Sequence, residues 1–383
     1  MPTSPDVLSR RALNRALLDR QLLLRRVPMP AAGARDGRAR AERVIETVEH
    51  LVGLQAQAPF PPYYGLWSRL AGFRPDDLAG LLLSRQVVRI ALMRGTIHLV
   101  SARDCMLLRP LVQPAVDRGL TVLLGRQLAG VDTAALAAAG RILVEERPMT
   151  FSELGAALSA QWPQHPPAAL AQGVRALVPL VQVPPRAVWG AAGQAAHTSA
   201  ETWLGRPLEA GPSLERLVAR YLAAFGPASV RDVQAWSGLT RLREIVDRLR
   251  PGLRAFRDEQ GTELFDLPDA PRPEPDTPAP VRLVAEFDNL VLSHADRTRV
   301  VSEPNRQRLF TRNGIFPGTV LIDGFVLGMW KIDRARDAAA LVIELFEPVA
   351  GRVREAVVGE GGRLLAFAAP HAPAHDIRFG PVA

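Results

Sequence analysis

Lysine is almost missing from this 383-residue chain: of 47 basic residues only Lys331 is a lysine, and the other 46 are arginines. Schiff-base chemistry needs an amine, so apart from the chain terminus a single side chain could supply it. Lys331 follows Met329 and Trp330 in a predicted strand, where a surface position suits it better than a catalytic one. Loss of Met1 would free a secondary amine at Pro2, but the Pro-containing start of the chain speaks against a catalytic use. Cysteine is as scarce as lysine. Cys105 stands alone in the apolar helical context Asp104-Cys105-Met106-Leu107-Leu108, which excludes an internal disulfide and any multi-cysteine zinc or iron–sulfur site. The histidines are scattered at 50, 98, 165, 197, 294, 371 and 375, and His371 and His375, which alone have ligand-like spacing, sit among Pro370 and Pro373. No metal and no cofactor are expected. No apolar run approaches the roughly 18 residues that span a bilayer, and the first residues lack a signal-peptide core. The expectation is a cytoplasmic protein with no membrane partner.

What the chain does have is arginine and net positive charge. The arginine skew with abundant alanine reflects a GC-rich genome and is not itself functional. Net charge is different, because Asp and Glu were free to balance it. A formal charge of +8 and a pI near 10.8 favour a polyanionic partner, nucleic acid first. A hydrophobic content of 48% reads as globular, and the length implies roughly two to four domains.

The clearest boundary is residues 268–280, where six of thirteen residues are proline and the chain should run as an extended spacer. Upstream, one pattern recurs three times: helices of 3.6-residue periodicity, a turn, a further helix, then a β-branched hairpin. The third copy has helices at 214–225, 229–236 and 238–249 and a hairpin at 253–256 and 263–267, the pattern of a winged helix-turn-helix. In the second, helices at 133–146 and 167–178 precede strands at 181–183 and 187–189. In the first, helices at 42–52, 62–70 and 75–84 precede a wing at 87–92 and 96–100. Domain limits are therefore set at 1–125, 126–210, 211–268, a linker at 269–280, and 281–383. In the last part, strands at 281–287, 290–292, 300–301, 319–322 and 325–330 suggest a small antiparallel sheet or barrel, with a helix at 348–358 packed on it. The glycines at 359–362 follow that helix and read as a turn. The N-terminal residues 7–26 read as an amphipathic helix, with Arg10, Arg11, Arg15 and Arg20 bordering its apolar face in a way compatible with phosphate contact.

Among candidate functional residues, Gln55 and Gln57 stand out, two carboxamides separated by Ala56 just ahead of a Pro-rich helix start. A glutamine never titrates, so such a pair holds and polarises water rather than taking a proton, which suits a leaving group that is already good. Capping the next helix is the structural alternative. Arg94 and His98 lie on or beside the first wing, within reach of a DNA backbone, and His294, Arg297 and Arg299 crowd a turn between two predicted strands. All five are candidate DNA contacts, with a solvated surface role the alternative. Asp288 is the candidate assisting acid, or else a strand-end turn residue. Phe60 and Trp67 are candidate walls of a binding pocket or members of the core.

Taken in order, GLQAQ at 53–57, GLWSRL at 65–70, LMRGTIHLV at 92–100, EFDNL at 286–290, ADRTRVV at 295–301 and VLIDG at 320–324 resemble the recurring blocks of one family. These are the AlkZ- and YcaQ-like bacterial DNA glycosylases, tandem winged-helix proteins. The resemblance spans most of the chain; the stretch at 31–40 has no counterpart in it. It implies a mainly helical α+β fold, with three tandem winged helix-turn-helix modules in a C-shaped clamp closed by a C-terminal antiparallel β-barrel. It also implies that Gln55 and Gln57 are the catalytic pair, in the Q-hydrophobic-Q form of the AlkZ-type branch. That branch excises N7-alkylated purines from double-stranded DNA and unhooks interstrand crosslinks, often as self-resistance beside a genotoxin pathway. Together with the lone lysine, the expectation is a monofunctional, monomeric glycosylase. A non-enzymatic winged-helix transcriptional regulator is the alternative, although simple regulators carry one module and dimerise; a drug-sequestering resistance protein is a third.

Overall fold

The first helix starts at Ser9, whose hydroxyl accepts from the Ala12 amide at 3.1 Å and caps Arg10–Arg20. The computed structural model describes residues 6–31, 37–309, 316–335 and 338–382. Pro2 and residues 32–36 of the unmatched stretch lie outside them. The Arg10–Arg20 helix is shorter than the span its pattern predicts, and two of its four arginines, Arg15 and Arg20, turn inward. Arg20 grips Asp266 with both terminal nitrogens, at 2.7 and 2.8 Å, with both side chains interior. Arg11 and Arg15 meet Asp323 in the tight Asp323-Gly324 turn, and the Asn14 amide donates to the Gly324 carbonyl at 2.8 Å. A buried guanidinium persists only when its donors are matched, and here acidic partners distant in sequence match them. The phosphate-binding role expected for this arginine row therefore does not hold for Arg15 or Arg20.

These arginines also hold the proline-rich stretch. Arg11, Arg15 and Arg20 donate to the carbonyls of Pro275, Thr277 and Pro271, so residues 268–280 are strapped along the first helix, and turns closed by Ala270 on Leu267 and Thr277 on Glu274 break the extended run expected there. One buried core, with members from Leu17 to Val326, passes beneath that strap.

Between 37 and 204 the expected helices are present as Gly37–His50, Pro61–Arg69, Pro75–Leu83, Thr133–Glu146 and Pro167–Leu177. A long helix, Ala102–Leu124, links the two halves. The two hairpins expected as separate wings form one sheet. Its strand order is Leu54–Gln55, Ile97–Ser101, Val87–Ala91, Leu180–Gln182, Ala196–Ser199, Met149–Thr150, joined across the middle where Arg89 faces Gln182 and Ile90 faces Val181. The strand expected at 187–189 is instead a turn. Pro184 and Pro185 interrupt the ladder and Ala187 takes a positive φ of 67°, so the pairing passes to Ala196–Ser199. Residues 211–268 fold as helices Leu214–Phe225, Val230–Ser237 and Arg243–Leu249 with the hairpin Arg254–Asp258 and Glu263–Asp266, to which Val7–Leu8 adds a parallel strand.

The C-terminal part departs most from expectation. Its sheet runs Arg282–Val284, Gly318–Ile322, Phe325–Arg334, Ala338–Leu345, Ala374–Phe379, and the two outer strands do not pair with each other. It is an open five-stranded sheet rather than a closed barrel. The final pairing, Ala338–Leu345 with Ala374–Phe379, is parallel, which requires a crossover, and the helix Gly351–Ala368 supplies it. The glycines expected as a turn lie inside this helix: a Cβ on Gly361 would stand 2.8 Å from Leu341 Cδ2, so the missing side chain lets the helix lie close on the sheet. Likewise the strand expected at 290–292 is the short helix Asn289–Leu292, capped by the Asp288 carboxylate, which accepts from the Leu290 amide at 2.9 Å.

Candidate active site

The QAQ motif is the edge of the six-stranded sheet. Leu54 and Gln55 face Leu99 and His98, and the Ala56 amide donates to the Ile97 carbonyl at 2.7 Å. Gly53 makes this close approach possible. With φ at +91° and its Cα beside Val100, any Cβ there would fall 2.7 Å from Val100 Cγ1. Behind the strand, Arg89, itself interior, donates from Nη2 to the carbonyls of Ala56 at 2.6 Å and Ala58 at 3.3 Å. The backbone of the motif is therefore pinned from both sides.

Its two amides have different surroundings. Gln57 is exposed, and its Oε1 accepts from the Ile97 amide at 3.1 Å, leaving the NH2 group and one oxygen lone pair to face outward. Gln55 is buried, and its Oε1 accepts from Arg94 Nη2 at 2.7 Å. Arg94 also donates to the Trp236 carbonyl at 2.5 Å and reaches Asn289 Oδ1 at 3.4 Å, so one guanidinium joins the motif to the third helical unit and to the 286–290 block. Arg94 adopts a left-handed backbone, φ 57°, uncommon for a side-chain-bearing residue and held here by those hydrogen bonds. Burial, and then the charge of nearby Arg297, lower its pKa to about 10, so it stays cationic at neutral pH. The structure thus gathers Gln55, Arg94 and Arg297 at one place.

The other expected contacts are interior. His98, His294 and Arg299 are 0%, 2% and 6% exposed. His98 Nδ1 bonds the Thr96 carbonyl, His294 Nε2 bonds the Phe225 carbonyl at 3.0 Å, and Arg299 donates to the Pro227 carbonyl at 2.7 Å. These three hold the interior together and present no side chain to a duplex. His98 points to the opposite face of its strand from Ile97 and Leu99, and because the sheet is covered on both faces all three are buried. Asp288 is interior as well, and both its oxygens are taken by Arg69 at 2.8 Å each. A carboxylate so paired holds the helix Pro61–Arg69 in place; it does not reach a substrate as an acid. Trp67 packs against Phe367 with the Arg26 guanidinium 4.6 Å from its ring centroid, away from the motif, whereas Phe60 lines a recess beside it.

Burial has a pH consequence at the two histidines. Desolvation first, then Arg94 at one and Arg299 at the other, lower both His98 and His294 to about 3. The unfolded chain takes up these protons near 6.5 and the folded one does not, so their contribution is complete above pH 6.5 and is lost as pH falls toward 3. Together the two sites are expected to remove about 3 kcal/mol of stability per pH unit below pH 6. Urea midpoints at pH 7 and pH 5 test this: His294→Gln should flatten the drop, and an unchanged midpoint in the parent protein would contradict it.

A family described as AlkZ-like DNA glycosylases matches residues 48–367. The chain belongs to that family. Among solved structures, the Streptomyces sahachiroi DNA glycosylase AlkZ is similar, with a TM-score of 0.78 at 18% identity over 98% of this chain and 100% of that one. No curated protein sequence matches the chain. For this AlkZ-like protein, glycosylase activity on DNA follows from family membership, and the interior geometry shows how the motif is presented. Among the described residues no group of three or more His, Cys, Asp or Glu is placed to hold a metal ion, and no helix is long and apolar enough to cross a membrane.

Sequence reasoning overlooked Arg89, Tyr63, Trp189 and Glu286. Tyr63 donates from its hydroxyl to the Ala187 carbonyl at 2.8 Å and accepts from the Trp189 amide at 3.2 Å, fixing a loop from the second half against the helix that follows the motif. Glu286 is half-buried, and burial holds its carboxyl above the usual range. Its place in the 286–290 block, two residues before Asp288, was the available signal.

Proposed function

We propose that this AlkZ-like protein hydrolyses the N-glycosidic bond of N7-alkylated purines in duplex DNA as a monofunctional glycosylase. The observation that carries the reading is the exposed Gln57 amide, fixed by Ile97 and backed by the Gln55–Arg94 bond. Alkylation at N7 makes the purine cationic, so its bond to the sugar breaks with little acid assistance. What remains is to steady an oxocarbenium-like sugar and deliver water, which neutral amides in a fixed frame can do. The engagement of Asp288 by Arg69 fits a reaction that needs no carboxylic acid at the motif. Monofunctional action fits the single lysine, which lies on the strand Phe325–Arg334 with Asp333 3.6 Å away. In this reading the helix and hairpin units act as winged-helix modules around the duplex, and interstrand crosslinks through N7 would be unhooked by the same bond cleavage, one strand at a time. Such an activity would protect the cell that makes or meets the alkylating toxin.

The test is incubation with a duplex carrying one 7-methylguanine, read by alkaline cleavage at the abasic site. Strand scission is expected with the parent protein and loss of it in the Gln55→Ala/Gln57→Ala double variant. A double variant that cuts at the parental rate would remove the pair from the mechanism.

A further inference from the structure

One residue past Gln57 the chain enters the wall of a second feature. Ala58 borders a recess of about 560 Å³ whose sides carry Phe60, Tyr64 and Trp189, with Glu286 and Arg334 at its polar edge. Consecutive Cα atoms stand about 3.8 Å apart, so the recess begins one backbone step from Gln57, and Arg89 ties the carbonyls of Ala56 and Ala58 into one rigid segment. The three rings are half-buried and set edge to face: Phe60 and Trp189 have centroids 5.5 Å apart at 70°, and Tyr64 and Trp189 5.9 Å apart at 73°. Trp189 also packs on Tyr63 at 4.9 Å and Phe367 at 5.5 Å, and with Phe60 and Tyr64 it lines the aromatic side of the recess. Tyr63 fixes Trp189 in place through its backbone, so the shape is built before any ligand arrives.

Charge decides which flat ligand fits. Glu286 makes no hydrogen bond or ion pair among the described residues, although it is half-buried at the edge of an aromatic surface. A carboxylate in that position is costly unless a cation meets it. The rings already attract one: the exposed Arg334 places its guanidinium 6.0 Å from the Trp189 ring centroid and donates from Nη2 to the Tyr64 hydroxyl at 3.0 Å. Arg334 does not reach Glu286 in an ion pair, so the carboxylate and the ring faces together remain fitted to a planar cation.

We propose that this recess binds the positively charged ring of an N7-alkylated purine, stacked on Trp189 with Glu286 opposite its charge. Its volume suits a small organic ligand. The identity of the ligand rests on the proposed glycosylase reading, since a planar cationic base is what that reaction creates and releases. Neither Trp189 nor Glu286 belongs to the QAQ frame, so the recess can be tested by binding alone.

The experiment titrates the full chain with two nucleosides, 7-methylguanosine, which carries a positive charge on its purine, and guanosine, which does not, followed by calorimetry. 7-Methylguanosine is expected to bind about tenfold more tightly than guanosine, the size of a good cation–π contact with an opposed charge. The near-isosteric Glu286→Gln should bring the two affinities within about twofold, and Arg334→Ala, which removes the competing guanidinium, should tighten 7-methylguanosine binding about threefold. Ala191→Trp, which fills the recess from an alanine on its wall, should abolish binding without removing any of the three rings. Equal affinity for the two nucleosides, no binding of either, or discrimination that survives Glu286→Gln would each overturn the proposal. Excision of 7-methylguanine without this discrimination leaves the glycosylase reading intact and removes the recess. Discrimination without excision does the reverse.

Discussion

Gln57→Ala is expected to lower the single-turnover rate of 7-methylguanine release by about 10²- to 10³-fold, the cost of losing one preorganised polar group at a developing charge. Duplex affinity should change little, because Gln57 is one exposed side chain on a basic protein of net charge +8. The reason for the size lies in its anchorage. The Ile97 amide holds Oε1, and Gly53 and Arg89 hold the backbone on either side, so the amide reaches the transition state without being ordered during the reaction. Gln57→Glu separates two versions of its role. The isosteric carboxylate keeps the acceptor for Ile97 and the lone pair that faces water and the electron-poor sugar, so it should retain at least about a tenth of the parental rate if that lone pair does the chemistry. A Glu variant as slow as the Ala variant would transfer the role to the NH2 donor. Gln55→Ala is expected to act differently, by releasing Arg94 from its one side-chain acceptor at the motif, 2.7 Å away. A Gln57→Ala variant within threefold of the parent would rule out the amide as a catalytic group.

How much of this was legible in the sequence depended on the range of the interaction involved. The 3.6-residue periodicity that carried the helical assignments is a local signal, and so are the proline starts of Pro61–Arg69 and Pro75–Leu83 and the capping boxes of Thr150 with Glu153 and Ser229 with Asp232. The QAQ motif was legible as a pair of side chains that cannot titrate. Its frame was not, because Arg89, Arg94 and Gly53 act through residues that only the sheet brings together. Arginine was the most misleading residue. Arg15, Arg20, Arg69 and Arg89 look like a nucleic-acid surface in a chain with one lysine, yet each is interior and bound to a carboxylate or a carbonyl. Periodicity cannot separate a solvated charge from one whose partner lies hundreds of residues away. The same holds for the C-terminal sheet, where glycine at 361 reads locally as a turn but is the close contact that lets a helix cross the strands. The recess had no single-segment signature, since its walls come from 58–64, 189–192, 286 and 334.

The second large effect is on stability. Asp288→Asn should cost about 3–5 kcal/mol, because it leaves the Arg69 guanidinium interior and without its carboxylate. Both oxygens of Asp288 accept from Arg69 at 2.8 Å, and one of them also caps Asn289–Leu292, so the substitution loosens the helix behind the QAQ motif and the block that carries Asn289 to Arg94. Urea unfolding reads the loss directly. Adding Arg69→Met removes the stranded charge, and the double variant should recover a large share of what Asp288→Asn alone forfeits, since two well-packed neutral side chains can replace a buried ion pair at little net cost. This cycle separates a positioning carboxylate from an acid catalyst. A positioning residue predicts that folded Asp288→Asn keeps the shape of the parental pH–rate profile and falls in rate only as far as the motif is displaced. An acid catalyst predicts that the limb of the profile belonging to its ionisation vanishes, and that Arg69→Met/Asp288→Asn stays as inactive as the single variant however well it folds. Loss of that limb with stability unchanged would return Asp288 to the chemistry and would require the Arg69 pair to open when DNA binds.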